Sequence, residues 1–409
     1  RPVDRLVTAI DALVCTRCGR RYAADEPRGT CDDHEGATGL LDVEYDDATV
    51  GRVLTDASTS ESDSLWRYAD ILPTAGERVT LGAGGTPLLD APALGATLDV
   101  RLRLKDETTN PTGSMKDRAS AIMASRGKAT ADVLACASTG NAAASLAAYA
   151  ARADLDCRIF VPADVPEGKA VQPLIHGAEV TTVDGGYDDA FEQCRVRCSD
   201  GGLLDCSAGI NPFGLEGLRT VGFELGAAGA GDPPDWVVVP MGNGCGLAGI
   251  WKGLAASFRH GVIDQAPSML GVQAAGACSI HERFTGESAG VSGTTADSID
   301  VGYPHNGERA CEALRQSGGT SIAVDDEAIL AAEGELARSE GLYVEPASAA
   351  TLAGLRRARE TGIVDAGDDV TLVLTGSGLK DTDSARRLVG GLHNDESRVD
   401  DVGSSFDGL

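Results

Sequence analysis

Asn110-Pro111-Thr112-Gly113-Ser114-Met115-Lys116-Asp117-Arg118 decides how this chain is read. A turn-forming Asn-Pro-Thr-Gly leads straight into a helix-like Lys-Asp-Arg-Ala-Ser-Ala run. Of the 35 basic residues only six are lysines and 29 are arginines. A lysine kept at such a turn points to chemistry rather than charge. An amine can lose a proton and attack a carbonyl, whereas guanidinium effectively cannot. The bland alternative is a surface lysine on a helix, which is where most lysines sit.

Three further segments weigh against that alternative. Pro240-Met241-Gly242-Asn243-Gly244-Cys245-Gly246 follows the apolar Trp236-Val237-Val238-Val239 and precedes a helix expected from Leu247 to Phe258. Strand, glycine loop and helix start together form a phosphate cradle of backbone N–H groups and helix dipole. The spacing is not that of a dinucleotide or ATP loop. A plain tight turn remains the commoner source of such glycines. Ser138-Thr139-Gly140-Asn141 follows the strand-like Val133–Ala137 and opens another helix, where free amides suit a carboxylate. Alone it reads first as an N-cap. Leu374-Thr375-Gly376-Ser377-Gly378-Leu379-Lys380-Asp381 follows the strand-like Val370–Val373. Its hydroxyls suit a pyridine nitrogen that stays largely unprotonated. A nucleophilic lysine, a phosphate cradle, a carboxylate site and a pyridine partner are the requirements of pyridoxal 5′-phosphate (PLP).

In this order the motifs resemble the threonine synthase family, of the tryptophan-synthase-β-like PLP enzymes (fold type II). Leu65-Trp66-Arg67-Tyr68, Gly84-Gly85-Thr86-Pro87-Leu88, Asn211-Pro212-Phe213, Leu215-Glu216-Gly217 and Glu345-Pro346-Ala347-Ser348-Ala349-Ala350 extend the resemblance to about Asp381. It implies Lys116 as Schiff-base lysine and proton shuttle, and Asn141 as partner of the cofactor 3′-oxygen. It implies Gly242, Asn243, Gly244, Cys245 and Gly246 as the phosphate loop, with Cys245 a small residue rather than a nucleophile. Thr375 becomes the ring-nitrogen partner, and Ser138 and Thr139 the contacts to substrate carboxylate. The implied reaction converts O-phosphohomoserine and water to threonine and phosphate.

Near the amino terminus Cys15-Thr16-Arg17-Cys18 is followed by Cys31-Asp32-Asp33-His34. Two close pairs of soft or borderline donors suit tetrahedral Zn²⁺ in a closed, structural site. A degenerate ribbon without metal is the alternative. Archaeal-type members of the family resemble this segment, usually with four Cys, and continue into a strand like Leu40-Leu41-Asp42-Val43. His34 departs from that pattern but is a good ligand.

Composition bounds the rest. The 409 residues suffice for two or three domains. A net charge of −27 and scarce lysine suggest a halophilic surface, hydrated by carboxylates whose repulsion salt screens. So acidic a chain argues against nucleic acid as partner, including at the ribbon. No apolar stretch is long enough for a bilayer and no signal peptide is evident, so a cytoplasmic protein with a small amino-acid substrate is expected. Three of the 11 cysteines belong to the ribbon. Cys136, Cys157, Cys194, Cys198, Cys206, Cys245, Cys278 and Cys311 read as free, mostly buried thiols. Oligomeric state is not written in the sequence, though the family group is often dimeric.

From Asp132 onward strands and helices alternate. The strand-like runs are Val133–Ala137, Cys157–Val161, Glu179–Val183, Leu203–Cys206, Trp236–Val239, Met269–Gln273, Ser321–Val324 and Val370–Leu374. Asn141–Arg152, Lys169–His176 and Tyr187–Cys198 read as helices between the early ones. This predicts an α/β fold with parallel or mixed sheets covered by helices. The expected units are a zinc-ribbon-like module (1–45), a large PLP-binding domain (46–119 and 216–392), a small domain (120–215) and an acidic tail (393–409).

The resemblance thins around the substrate phosphate. Ala142, Ala208, Gly209, Gly214 and Gly246 stand where polar residues are expected, Gly214 where the family usually has Arg, and Ser377 replaces a common His. Each lost charged hydrogen bond costs roughly 1.5–3 kcal/mol. Arg118, Arg219 and Lys169 are the cations that the sequence offers in compensation. Two other readings therefore stand beside the family reaction. One is a threonine or serine dehydratase, or another β-elimination or β-replacement enzyme. The other is a PLP-binding protein without turnover, against which intact Lys116, Asn141 and Thr375 count.

Overall fold

The computed structural model describes residues 9–393 apart from 25–27, 35–37, 58–62, 75, 164, 166, 208 and 289–291; at 167–169, 389 and 391–393 it describes the backbone alone. The tail expected from 393 lies, beyond His393, outside the described residues. The first three strands are β1 (Ile10–Cys15), β2 (Arg21–Tyr22) and β3 (Leu41–Tyr45). They form an antiparallel sheet in the order β2-β1-β3. Ten more follow: β4 (Leu88–Asp90), β5 (Arg101–Asp106), β6 (Val133–Ala137), β7 (Asp156–Pro162), β8 (Glu179–Val183), β9 (Leu203–Asp205), β10 (Trp236–Pro240), β11 (Ser268–Ala274), β12 (Thr320–Val324) and β13 (Asp369–Leu374).

A six-stranded sheet has the order β12-β11-β10-β13-β5-β4, parallel except for β4. A four-stranded parallel sheet, β8-β7-β6-β9, comes from the continuous stretch between β5 and β10. The C-terminal β13 returns to lie between β10 and β5. That crossover matters because the segments after β5, β6, β10 and β13 all leave carboxyl ends of strands, where open α/β sheets bind ligands. Those segments carry Lys116, Asn141, the glycine loop and Thr375.

The eight strands expected from apolar runs are present, each within a residue or so of its expected bounds. β5 escapes such a reading because its sequence is Arg-Leu-Arg-Leu-Lys-Asp. Its charges are neutralised in the fold: Arg103 pairs with Asp369 on β13 at 3.0 Å, and Lys105 with Glu224 at 2.7 Å. The helix Asp47–Ala57 is likewise not among the elements expected from the sequence. Asp46 accepts from the Thr49 amide at 2.9 Å, and Val50, Val53, Leu54 and Ala57 are buried.

Arg118 corrects an expectation. It is wholly buried and binds no substrate phosphate. Its guanidinium donates to Glu107 (two bonds of 2.7 Å), to Glu224 (2.6 and 2.8 Å) and to the hydroxyls of Thr220 and Thr86. Burial opposes ionisation of Glu224, but Arg118 and Lys105 hold its carboxyl well below the usual range. Arg118→Met would strand two buried carboxylates and is expected to cost about 3–5 kcal/mol. Urea unfolding at fixed salt checks this, and a loss below about 1 kcal/mol would contradict the buried network.

Glu333 is the opposite case: it is buried and neither carboxylate oxygen has a hydrogen-bond partner. Burial, with Asp381 nearby, pushes its carboxyl up to about 7. The folded chain therefore binds this proton more tightly than the unfolded chain, whose value is about 4.3. Its contribution to stability is full at acid pH and is lost as pH rises through about 7. Glu333→Gln should flatten the fall in urea midpoint between about pH 5 and pH 8 and raise the midpoint at the upper end.

Candidate active site

Gly113, at φ +79°, closes the turn that delivers Lys116. Its amide donates to Asn110 O at 2.8 Å, and Met115 N donates to Thr375 O at 2.9 Å. A bridge between Ser114 and Gly376 fixes the same two segments. Lys116 then opens the helix Lys116–Thr130. Asp117 is locked behind it, accepting from Thr112 N (2.6 Å), Thr112 Oγ1 (2.5 Å) and Ser145 Oγ (2.6 Å). Lys116 Nζ is 3.9 Å from Cys245 Sγ, at the start of the helix Cys245–Arg259.

The glycine loop fits a phosphate cradle. Gly244 has φ +88° and would place a Cβ 2.8 Å from Asn306 O. The helix after it has no side-chain cap, so its first amides are left for an anion. Around Gly246 the nearest atom to an added Cβ is Met115 Cε at 3.6 Å, which leaves the helix start open. Asn243 contributes to the loop through its shape: its Oδ1 and main-chain oxygen both accept from Asn306 N at 3.1 Å.

Asn141 begins the helix Asn141–Ala153, which also lacks a side-chain cap. Its Nδ2 donates to Glu345 Oε2 at 2.8 Å and to Ser298 Oγ at 3.3 Å. Ser138 and Thr139 stand in the turn just before it, where Ser138 Oγ accepts from Gly140 N at 3.2 Å. Thr375 Oγ1 lies 3.1 Å from Ser348 Oγ, and Gly376 N donates to Ser348 Oγ at 2.9 Å. The Glu345 amide donates to Gly376 O at 3.0 Å. The site therefore closes as a ring: Lys116, Thr375, Ser348, Glu345, Asn141, Ser298, the glycine loop and Cys245.

Glu345, Ser298 and Ser348 were not singled out as site residues in the sequence. Glu345 is 5% exposed; burial raises its carboxyl, against hydrogen bonding from Asn141 and the charge of Lys380. The signal for it was the Glu-Pro-Ala-Ser run itself: a carboxylate just before a helix-starting proline. Ser298 lies on a 3₁₀ turn with no distinctive pattern.

A narrow cleft of about 40 Å³ opens beside Lys116, with Ala142, Ser207, Gly209, Gly214 and Cys245 among its walls. Three of the five positions where polar residues were expected thus gather at one place. Among the described residues no cation other than Lys116 lines it. Arg219 lies instead in a larger groove of about 1230 Å³ between the N-terminal sheet and the helix Cys245–Arg259. There it packs on Tyr45 and Phe223 and pairs with Glu216. We assign the chemistry to the smaller cleft because it holds the amine. Ala208 and the side chain of Lys169 lie outside the described residues.

At the ribbon, donor atoms of Cys15, Cys18, Cys31 and His34 all lie within 4.8 Å of one another. Cys18 and Cys31 sulfurs are 3.8 Å apart, and Tyr22 Oη donates to Cys31 Sγ at 3.1 Å. His34 Nε2 is buried without a hydrogen-bond partner, which suits a ligand nitrogen.

Residues 79–376 match the family described as pyridoxal-phosphate dependent enzyme. The solved structure of maize serine racemase superposes with a TM-score of 0.64 at 19% identity, covering 76% of this chain and 93% of the other. The processed form of threonine deaminase isoform 2 from Solanum lycopersicum also gives 0.64, at 20% identity, covering 95% and 94%. Among curated relatives, threonine synthase of Methanosarcina acetivorans is 39% identical, covering 90% of this chain and 92% of that protein. That of Methanocaldococcus jannaschii is 38% identical (91% and 94%), and that of Mycobacterium leprae 41% (78% and 88%). The chain belongs to the PLP-dependent enzymes of fold type II and, within them, to the threonine synthase family of lyases.

Lys116→Ala should leave a folded chain that no longer retains the visible absorbance of bound PLP after gel filtration. Retention of that band would remove Lys116 from its place as covalent anchor.

Proposed function

We propose that the chain makes threonine and phosphate from O-phosphohomoserine and water. The observation that carries this is the closed ring of Lys116, Asn141, the glycine loop and Thr375 in a chain 39% identical to a threonine synthase over nearly its whole length. PLP, when bound, supplies an electron sink for the charge left at Cα. The amides of residues 242–246 would hold its phosphate, Asn141 its 3′-oxygen and Thr375 its ring nitrogen. Lys116 is the covalent anchor and the only amine lining the cleft among the described residues. Its Nζ is the base for the Cα proton and then for the Cβ proton, giving up the first before it takes the second, as the Cγ–O bond breaks and phosphate departs. It returns a proton to Cγ, which makes Cβ electrophilic; water then adds at Cβ, and Cα regains its proton last. Ser138, Thr139 and the uncapped amides opening at Asn141 orient the substrate carboxylate.

Zn²⁺ at Cys15, Cys18, Cys31 and His34 would be structural, since four protein donors leave no open position. We also infer the division into a small domain over about 120–215 and a large one around it, a homodimer by analogy with the family group, and a halophilic surface. Among the described residues no helix is long and apolar enough to cross a membrane.

The lack, among the described residues, of any cation besides Lys116 in the cleft favours a second reading, dehydration of threonine or serine, because these substrates carry no dianion to grip. One comparison separates them: O-phosphohomoserine, O-phosphoserine, threonine and serine are each offered at low and molar salt, with product analysis. Threonine and phosphate from O-phosphohomoserine are expected. A 2-oxoacid from threonine or serine, with O-phosphohomoserine inert, would replace the proposal with a dehydratase.

A further inference from the structure

Two cysteines outside the ribbon face a carboxylate. The helix Tyr187–Ser199 carries Cys194 and Cys198 four residues apart, hence on one face. That face packs on the four-stranded sheet, where β9 ends in Asp205. Donor atoms of Cys194, Cys198 and Asp205 all lie within 4.8 Å of one another. Cys194 is fully buried, while Cys198 and Asp205 are half-buried, so the cluster is lined by protein yet reachable from solvent.

We propose that Cys194, Cys198 and Asp205 form a second metal site, for a thiophilic divalent cation such as Zn²⁺ or Cd²⁺. Two thiolates and one carboxylate are a three-ligand set that leaves a fourth position for water. Bonds of about 2.0–2.3 Å need the donors roughly 3.3–3.8 Å apart. With all donor atoms within 4.8 Å of one another, the cluster has to close by at most about 1–1.5 Å to reach that spacing. Asp205 is the second reason. Its Oδ1 accepts from Ser207 N at 2.8 Å, and among the described residues no Lys or Arg forms an ion pair with it. Arg195 acts on it only from a distance and pairs instead with Glu192 at 3.3 Å. A carboxylate beside two thiols and without a paired cation is costly, and a divalent ion removes that cost.

A disulfide explains the pair less well. Cβ atoms four apart on a helix are about 5–6 Å from each other. A disulfide needs about 3.5–4.5 Å. Cys206 is not a ligand, since its thiol turns to Leu204 O at 3.4 Å. Cys136 is not either, because its side chain packs in the core on the other face of β6.

The site touches the chemistry through one loop. Ser207 sits two residues beyond Asp205, and its hydroxyl is 3.8 Å from Cys194 Sγ. Ser207 and Gly209 line the cleft beside Lys116. An ion on Asp205 would pin the start of that loop.

The full chain, stripped by a chelator under reducing conditions, would be titrated with Cd²⁺. Thiolate-to-metal charge-transfer absorbance and equilibrium dialysis give the stoichiometry. Two ions per chain are expected. The Cys194→Ser/Cys198→Ser variant should keep only the ribbon ion, and Cys15→Ser/Cys18→Ser only the new one. Equal stoichiometry in the native chain and the folded 194/198 variant would overturn the proposal. Should that variant fail to fold, Asp205→Asn provides the test: at least tenfold weaker binding at one of two sites supports the site, and unchanged affinity at both refutes it.

Discussion

Arg118 is the point on which the active site hangs. It stands two residues after Lys116 and is held by two buried carboxylates from different parts of the chain. Glu107 comes from the turn after β5, and Glu224 from the helix Pro212–Ala228. Lys105 and the Gly85 amide complete the charge balance on Glu224. Such a network is poor evidence for stability in itself, since apolar packing of equal volume does as well. Its value here is directional. A planar guanidinium with fixed donors admits one orientation of the helix start, and therefore one position for the Lys116 amine. The family-like Gly84-Gly85-Thr86 run makes physical sense in this light. Thr86 donates to Glu107 and its carbonyl accepts from Lys105, so the segment is a wall of the network. Gly217 belongs to it too, because a Cβ there would fall 2.2 Å from Arg118 O.

Much of this was legible in the sequence, and for identifiable reasons. Val133–Ala137 and Trp236–Pro240 are apolar runs bounded by polar turns, the pattern of a buried parallel strand. Lys116, Asn141, the glycine loop and Thr375 were readable because each sits in a turn whose residue types are restricted. β5 and the helix Asp47–Ala57 were not, because their signal lies in partners remote in sequence. Arg103 is acceptable inside a sheet only because Asp369 meets it. Arg118 was misjudged for the same reason: nothing local says that Glu107 and Glu224 converge on it. Cys194 and Cys198 read only as two of eight free, mostly buried thiols, and Asp205 gave no sign of joining them until β9 was placed against their helix.

The N-terminal sheet is not an appendage. Lys252, on the helix that follows the glycine loop, donates to Asp42 and Val43 O at 2.8 Å and to Glu216 at 2.6 Å. One lysine thus ties β3 to two helices of the main body, and Arg309 adds a bond to Leu41 O. The helix that follows the glycine loop is therefore braced on its side by the N-terminal sheet. Metal in the ribbon would stiffen that brace without approaching the cleft.

Scarcity of cations sets the remaining constraint. With 62 acidic residues against 35 basic ones, each arginine near the site has a structural partner. Arg118 is taken up by Glu107 and Glu224, Arg126 stacks on Phe213 and donates to Pro73 O, and Arg219 belongs to the outer groove. Lys380 donates to Thr112 O, and burial lowers its affinity for a proton. Among the described residues, a dianionic group in the cleft is thus left with Lys116, the amides at the opening of the Asn141 helix and the side chains of Ser120, Ser207 and Asn211. Helix-end amides contribute typically about 0.3–1 kcal/mol and up to about 2 when partly buried. A charged hydrogen bond contributes about 1.5–3 kcal/mol. Binding of substrate phosphate on this frame is expected to be weak in the ground state, and the fold can turn over such a substrate only where those dipoles meet charge that grows as the Cγ–O bond breaks.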